Sequence, residues 1–241
     1  THLGTEPFQG EVALLYRNVL VRTEITGVSD GTLDSTTSQR TGAHTMFMMG
    51  AMGNVRYTEF KYLGHYSTKG RYPIHTHMMV DSSRGMVIKG NTSWMSGNRQ
   101  INIHASNGIL LEDNVGYICA GSAVFLEFEP ALNAISLMQN VFTHNLIVRV
   151  IPPAKGTFDS FWQSSCFWMS FGNSFIGNVA VEEDSGSDGG GYHIPEAPGS
   201  PAILDTFFIA NEAHSCFHSG MRSWINGPPL VPLIGMNFWR N

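Results

Sequence analysis

The stretch Ile88-Lys89-Gly90-Asn91 has a counterpart further along the chain, Leu111-Glu112-Asp113-Asn114-Val115. Both are short strand-like runs that have an asparagine at or near their end. The pattern recurs along the chain at Asn18, Asn54, Asn140, Asn178 and Asn211. The shortest steps, from Asn91 to Asn114 and from Asn114 to Asn140, are near the length of one coil of a parallel β-helix. We therefore expect Asn91, Asn114 and Asn140 to form one column of bonded side-chain amides, at a turn where asparagine tolerates left-handed backbone.

A second set of strand-like runs alternates with the first, at 72–77, 100–104, 123–129, 167–171, 191–194 and 220–224. No window has a convincing helical stripe, and the best candidate, 131–139, is short and follows a proline. The sequence thus predicts an all-β fold, a single-stranded parallel β-helix (solenoid) with loop insertions at 26–41 and 182–200. We expect residues 1–241 to form one domain, a fragment of a larger protein that lacks its N-terminal cap, because solenoids need capped ends.

Composition restricts the partners. The 241 residues carry a net charge of −5 and include few lysines, so no patch can neutralise several phosphates and nucleic acid is not expected as a partner. No run of apolar residues is long enough for a bilayer span, so membrane attachment is expected only through segments outside this chain. The three cysteines have no CxxC spacing, and we expect buried free thiols. One glycosylation sequon, at Asn91, is weak support for secretion.

The residues that could carry chemistry lie in the second set of strands. Residues two apart on a strand share a face, so His75 and His77 point the same way. His104 lies on the next coil, and the step from His104 to Glu127 equals the step that separates Asn91 from Asn114. The spacing predicts one exposed face that carries His75, His77, His104 and Glu127, with Arg71, Asp81 and Arg99 at its margins.

Such a face has two uses. Three imidazoles with a carboxylate can hold a divalent metal, Ca²⁺ or Zn²⁺, with the histidines as its ligands, or they can act as acid, base and electrostatic stabiliser around a bound sugar. The candidate catalytic residues are then His75, His77, His104, Glu127, Arg99 and Asp81. The candidate substrate-binding residues are Arg71, His193 and Arg222. The alternative is that these polar residues stack on an outer face of the solenoid only because that face is solvated.

Several motifs occur in a fixed order, namely 70–78 (Gly-Arg-Tyr-Pro-Ile-His-Thr-His-Met), Asn98-Arg99, Ile103-His104, 114–117, Phe125-Leu126-Glu127, 144–146, Phe167-Trp168 and 213–215. Together they resemble the parallel β-helix region of the cell-surface hyaluronidase family. The resemblance implies an extracellular right-handed β-helix, with calcium-dependent hyaluronan depolymerisation in some members and no established enzyme activity in others. It places family motif residues on Arg71, His75, His77, Asp81, Arg99 and His104.

Two functions follow as hypotheses. The first is an extracellular or cell-surface β-helix that binds, and in its enzymatic form cleaves, a polysaccharide of the hyaluronan type. The second is a non-enzymatic β-helical module of a cell-surface or fibrous protein, associating with further domains or identical chains at the solenoid ends. The in-register histidines favour the enzyme. Departures from the family pattern at Thr76, Ser122 and 128–130 favour the structural module.

Overall fold

A computed structural model describes residues 11–24, 41–51, 53–66, 68–129, 139–153, 164–184, 189–194, 206–223 and 232–241. These residues form 22 short strands, and a single 3-10 turn, Asp81–Ser83, is the helical element that they contain. No helix in this part of the chain has the length and apolar character needed to cross a membrane. The helix candidate at 131–139 lies almost wholly outside the described residues.

The strands form three parallel sheets. Sheet one contains β1 (Val19–Arg22), β4 (Thr58–Lys61), β7 (Thr92–Ser96), β10 (Val115–Ala120), β13 (Leu146–Ile151), β16 (Val179–Glu183), β19 (Glu212–His214) and β22 (Asn237–Trp239). Sheet two contains β2 (Phe47–Met48), β5 (Ile74–Val80), β8 (Ile101–Ser106), β11 (Val124–Glu127), β14 (Ser165–Trp168), β17 (Gly190–Ile194) and β20 (Met221–Ser223). Sheet three contains β3 (Val55–Arg56), β6 (Val87–Lys89), β9 (Leu110–Glu112), β12 (Val141–Thr143), β15 (Ser174–Ile176), β18 (Phe207–Ile209) and β21 (Leu233–Ile234).

Each coil contributes one strand to each sheet in turn, and each strand pairs with the strand three places later in the chain. This is a parallel β-helix, as the sequence predicted. The second set of runs corresponds to sheet two. The asparagine-containing runs, predicted as a single strand type, divide between two sheets. Asn91, Asn114, Asn178 and Asn211 stand at the corner where sheet three ends and sheet one begins, whereas Asn54 and Asn140 directly precede strands of sheet three.

The interior is filled by columns of apolar side chains that stack from coil to coil. Along sheet three, Phe142, Phe175 and Phe208 are fully buried, with ring centroids 4.5 and 5.1 Å apart. Along sheet two the register aligns Ile74, Ile101, Val124, Phe167 and Tyr192, all buried. The three cysteines are buried and none of them forms a disulfide, which confirms that expectation. Since the core residues alternate along each strand, the intervening side chains face outward, and the candidate site lies on this outer face.

The predicted asparagine column exists, but one of its members was wrong. Asn91, Asn114, Asn145, Asn178 and Asn211 form a buried ladder, in which each side-chain amide donates to the next side-chain oxygen at 2.9–3.0 Å. Asn140 lies at the opposite end of strand β12, where its side chain bonds to Asn173 at 2.9 Å. Both ends of this strand carry an asparagine before an apolar residue, so the sequence pattern did not distinguish Asn140 from Asn145.

The left-handed conformation lies one residue before each ladder asparagine. Gly90, Asp113, His144, Gly177 and Ala210 have φ between 52° and 65°. The turn therefore needs a positive φ at the residue that precedes the ladder, and the asparagine supplies the hydrogen bonds.

Two smaller expectations are corrected by this architecture. The sequon asparagine, Asn91, is buried and its amide nitrogen donates to Val55 and Asn114, so the folded chain does not present it for glycosylation. The insertion predicted at 182–200 is interrupted by regular structure, because its first two residues complete β16 and Gly190–Ile194 forms β17.

The ladder predicts a large stability effect at its centre. Asn145 accepts hydrogen bonds from the backbone and side-chain nitrogens of Asn114 and donates to Leu111 and Asn178. Asn145→Ala leaves at least two of these buried groups unpaired, so we expect a loss of about 3 kcal/mol or more in unfolding free energy. Urea denaturation measures this loss of unfolding free energy, and Asn18→Ala, at an exposed asparagine, is the control. A loss below about 1 kcal/mol would show that the ladder is not a main source of stability.

Candidate functional site

The candidate site is built on the outer face of strands β5, β8 and β11. Register places His77 beside His104 and His104 beside Glu127, as the sequence spacing predicted. The residue between the two histidines of β5, Thr76, faces the interior with its neighbour Ile103, and both are fully buried. Strand alternation therefore gathers the site residues on one side of the sheet and the core residues on the other.

Three imidazole rings converge at the centre of this face. One ring nitrogen from each of His75, His77 and His104 lies within 4.8 Å of the others. The two Nδ1 atoms of His77 and His104 are 3.0 Å apart. The ring centroids of His75 and His77 are 5.1 Å apart, and those of His77 and His104 are 4.8 Å apart. We call these residues the histidine cluster.

The cluster is not on an exposed surface, which corrects the sequence expectation. His75 is 1% exposed, His104 6% and Glu127 7%, and His77 is half-buried. The segment 68–71 covers part of the face: the Gly70 carbonyl contacts His75, and Lys69 reaches Glu127. Strand alternation predicts the outward direction of a side chain but carries no information about which loop lies over it.

His75 is held in one protonation state. Its Nδ1–H donates to the carbonyl of Gly70 at 2.8 Å, which leaves the lone pair on Nε2. Burial lowers the pKa of His75 to about 4, against the opposing effect of the Gly70 hydrogen bond, so the ring is neutral at pH 7. Its Nε2 is buried and has no hydrogen-bond partner among the described residues. Gly70 has a φ of +85°, a conformation that side chains other than glycine rarely adopt, so glycine is required where this carbonyl turns toward the ring.

Glu127 is the centre of a charged network beside the histidine cluster. Its carboxylate accepts hydrogen bonds from Arg99 at 3.1 Å and Asn102 at 3.0 Å, and Lys69 lies 2.9 Å away. Burial would raise the pKa of Glu127, but Arg99, His104 and Lys69 outweigh it and lower the pKa to about 2. The carboxylate is therefore ionised at neutral pH and acts as an electrostatic partner, since a group with this pKa cannot serve as a general acid.

Glu129 is a site residue that the sequence reading missed. Its Oε2 is 3.4 Å from His104 Nε2, and its side chain is 28% exposed. The signal was present in the sequence, because Glu129 is two residues after Glu127 and extended chain would put both on one face. Burial lowers the pKa of His104 and disfavours the protonated ring, whereas the carboxylates of Glu127 and Glu129 oppose that shift.

The remaining predicted site residues are placed as follows. Asp81 lies on the 3-10 turn beyond β5, where it bonds to Asn107 and Arg84 rather than to the histidine cluster. The chain turns away there because Met78 and Val80 have positive φ. Arg71 is exposed on the segment that covers His75.

Two further predicted residues lie farther along the same face. His193 and Arg222 occupy the same row of sheet two as His75, on later coils. His193 is buried and stacks on Trp168 at a centroid distance of 4.2 Å. The register thus places both residues on the outer face of sheet two, but His193 is buried there.

The donor set of the histidine cluster can be compared with the two predicted metals. Calcium takes six to eight oxygen ligands, so three imidazole nitrogens do not fit the Ca²⁺ that the family resemblance implied. Zn²⁺ binds imidazole nitrogen at about 2.0–2.1 Å, and three histidines with an open fourth position are a known catalytic arrangement. A neutral ring with its second nitrogen bonded to a carbonyl, as in His75, is the usual state of a zinc-ligating histidine.

A second group, Glu11, Glu212 and His214, also brings its donor atoms within 4.8 Å. Its members already have partners: His214 Nε2 bonds to Glu11 at 2.9 Å, and the Trp239 indole donates to Glu212 at 2.8 Å. This group is a weaker metal candidate than the histidine cluster, in which His75 Nε2 has no partner in the described chain.

The fold and the site thus define a parallel β-helix protein with a candidate histidine metal centre on the outer face of one sheet. Comparison with known proteins agrees with the fold, since the chain belongs to the CEMIP beta-helix family, which it matches over residues 40–221.

Curated relatives are much longer than this chain. It is 27% identical over 268 residues to the cell migration-inducing and hyaluronan-binding protein of Mus musculus, covering 91% of this chain and 19% of that protein. It is 28% identical over 256 residues to the cell surface hyaluronidase of Danio rerio, covering 88% of this chain and 18% of that protein. The matched part is about a fifth of each relative.

The low pKa of His75 predicts acid sensitivity in metal-free protein. His75 takes up a proton with an ordinary pKa of 6.5 in the unfolded chain, but with a pKa of about 4 in the folded chain. Between these two pH values the unfolded state binds more protons than the folded state, so the free energy of unfolding falls as the pH drops. We expect a loss of about 2–3 kcal/mol between pH 7 and pH 4.5. Urea denaturation across this range, with chelator present, measures the slope.

The charged groups around His75 set the control for that measurement. His77, His104 and Glu127 all face its ring, and the pKa of His104 is also lowered. The depressed pKa of Glu127 contributes stability above its ordinary value of 4.5, which is lost only as the pH falls from there toward 2. His75→Gln should therefore flatten the slope between pH 7 and 4.5. An unchanged slope in this variant would assign the acid sensitivity to other groups.

Proposed function

We propose that this chain is the zinc-binding, polysaccharide-recognising module of a cell-surface or extracellular protein, and that it acts on a hyaluronan-type glycan at the outer face of sheet two. Two observations carry the proposal: each of the three imidazoles brings one ring nitrogen within 4.8 Å of the others, and His75 Nε2 is a buried lone pair without a partner in the described chain. The names of two relatives, a hyaluronan-binding protein and a cell surface hyaluronidase, support the choice of glycan.

The charges at the rim of the site agree with an anionic ligand. Lys69 has a side chain that is 66% exposed, and Arg71 is exposed two residues later, on the same segment that covers His75. A uronate carboxylate attracts such cations, and Lys69 can exchange its exposed contact with Glu127 for a contact with the ligand. Arg99 is buried against Glu127 and is not available in the same way.

The histidine cluster and its charged neighbours would have different chemical roles. His75, His77 and His104 would hold the metal, which when bound supplies a Lewis acid that polarises an oxygen of the substrate or lowers the pKa of a water. His77 is the least buried of the three rings, so a bound sugar would approach the metal from its side of the cluster. Arg99 and Lys69 keep Glu127 ionised, so this carboxylate stabilises positive charge that develops on the neighbouring rings.

Incubation with hyaluronan of defined length tests the proposal. We expect binding, and shortening of the polymer measured by size-exclusion chromatography, that is lost on removal of metal with a chelator and restored by Zn²⁺. Lys69→Gln should weaken binding of hyaluronan more than that of a neutral glucan. If neither glycan is bound or shortened with any metal, the proposed glycan function is wrong.

A structural module remains the second candidate, and the burial of the site favours it. His75, His104 and Glu127 are all buried, as polar residues of a packed core are. This alternative predicts that the protein binds no metal and no glycan, and that substitutions in the histidine cluster alter only stability.

A further inference from the structure

The ring of His104 has a different partner on each side. Its Nδ1 faces His77 Nδ1 at 3.0 Å, toward the centre of the cluster. Its Nε2 lies 3.4 Å from the Glu129 carboxylate, away from the centre, in an electrostatic contact that does not meet hydrogen-bond geometry. A carboxylate attracts the N–H side of a neutral imidazole, so Glu129 favours the tautomer with the proton on Nε2 and the lone pair on Nδ1.

The same logic applies to His75 with the two nitrogens exchanged. There the Gly70 carbonyl takes the Nδ1–H, and the lone pair is on Nε2. Two of the three rings therefore have an outer partner that directs a lone pair into the cluster, one a backbone carbonyl and the other a carboxylate. Metal-ligating histidines almost always have such a partner, and its loss costs about 10–100-fold in metal affinity.

We infer that Glu129 is the positioning residue of the histidine cluster: it orients His104 and fixes its tautomer so that Nδ1 serves as a ligand to a zinc ion. The inference rests on the proposed metal site and assigns a role to a residue outside the predicted set. Glu129 does not itself bind the metal in this arrangement, because its carboxylate contacts the nitrogen on the far side of the His104 ring.

The experiment compares the full chain with Glu129→Gln and Glu129→Ala, and uses Zn²⁺ alone as the probe. We expect both variants to weaken zinc binding about 10–100-fold in isothermal titration. Glu129→Asp should recover part of the affinity. The matched control is Glu182→Gln, which removes another partly exposed ion pair, with Arg149 at 3.3 Å, from sheet one. This control should bind zinc as the wild type does.

Two further readouts separate positioning from a general structural effect. In ¹⁵N-histidine NMR spectra of the metal-free protein, His104 should be an Nε2–H tautomer in the wild type and a mixture in Glu129→Gln. With Co²⁺ in place of zinc, the visible absorption bands should keep their shape in Glu129→Gln, because the number of ligands is unchanged.

The outcomes are distinguishable. Equal zinc affinity in wild type and Glu129→Gln would overturn the inference and leave the metal site intact. A changed Co²⁺ spectrum would also overturn it, because Glu129 would then be a ligand. If the wild type binds no metal, the proposed metal site fails and this inference fails with it.

Discussion

Replacing His75 and His77 together by alanine is expected to abolish zinc binding at the histidine cluster. The substitution removes two of the three converging imidazoles, and with His75 it removes a buried Nε2 that has no partner in the described chain. The loss of zinc affinity should be larger than the roughly 10–100-fold loss expected when a single outer hydrogen-bond partner is removed, because these two residues bind the metal directly. Zinc content after dialysis and titration calorimetry measure the effect, and the expected result is one bound zinc per chain fewer than in the wild type.

His214→Ala is the matched control for this double substitution. It removes a buried histidine from the second group of potential donors while leaving His75, His77 and His104 in place. The control should retain the zinc of the histidine cluster. If the double variant keeps its zinc and the control loses it, the metal site of this protein is the second group.

The double variant should also lose stability. His75 is 1% exposed and donates to Gly70, so alanine leaves a cavity and an unpaired carbonyl, with a cost of about 1–3 kcal/mol. A site on an exposed face would have shown almost no such cost. Lower stability alone therefore does not distinguish a structural from a functional cluster, and the zinc measurement must decide.

The fold was predictable because the residues that repeat along the sequence are those that hydrogen-bond to the backbone at the corners of the coils. An asparagine bonds the corner before sheet one in successive coils, so the pattern recurs along the chain, as at Asn91, Asn114, Asn178 and Asn211, although Thr58 takes this position in an early coil. It misled at Asn140, because a second corner of the same coil also uses an asparagine to bond backbone groups. One sequence signal can therefore mark two different corners.

The site was predictable only where strand geometry determines it. Alternation and coil length placed His77, His104 and Glu127 side by side, and the register confirms this. The sequence could not show that the segment carrying Lys69 and Gly70 lies over the histidine cluster, because the path of a loop does not follow the periodicity of the strands. For the same reason Asp81, which follows His77 closely in the sequence, lies on a turn with its own partners.

The buried pair of Arg99 and Glu127 carries the second large expected effect. Their side chains are 3% and 9% exposed, and the Arg99 guanidinium also lies 3.5 Å from the centre of the Phe125 ring. Arg99→Met keeps much of the side-chain volume but removes the charge that compensates a buried carboxylate. Breaking one partner of a buried ion pair typically costs about 3–5 kcal/mol, and we expect a loss in that range at pH 7, measured by urea denaturation.

A double-substitution cycle identifies the cause of that loss. In Arg99→Met the uncompensated Glu127 charge should account for most of the cost, although Lys69 still contacts it from the solvent side. Adding Glu127→Gln neutralises that charge, so the double variant should be more stable than the sum of the two single losses predicts. Lowering the pH through the ordinary pKa of glutamate should recover stability in Arg99→Met relative to the wild type, because protonation removes the unpaired charge. Additive losses with no such relative recovery would mean that Arg99 stabilises the fold through its contact with Phe125 and not through the pair.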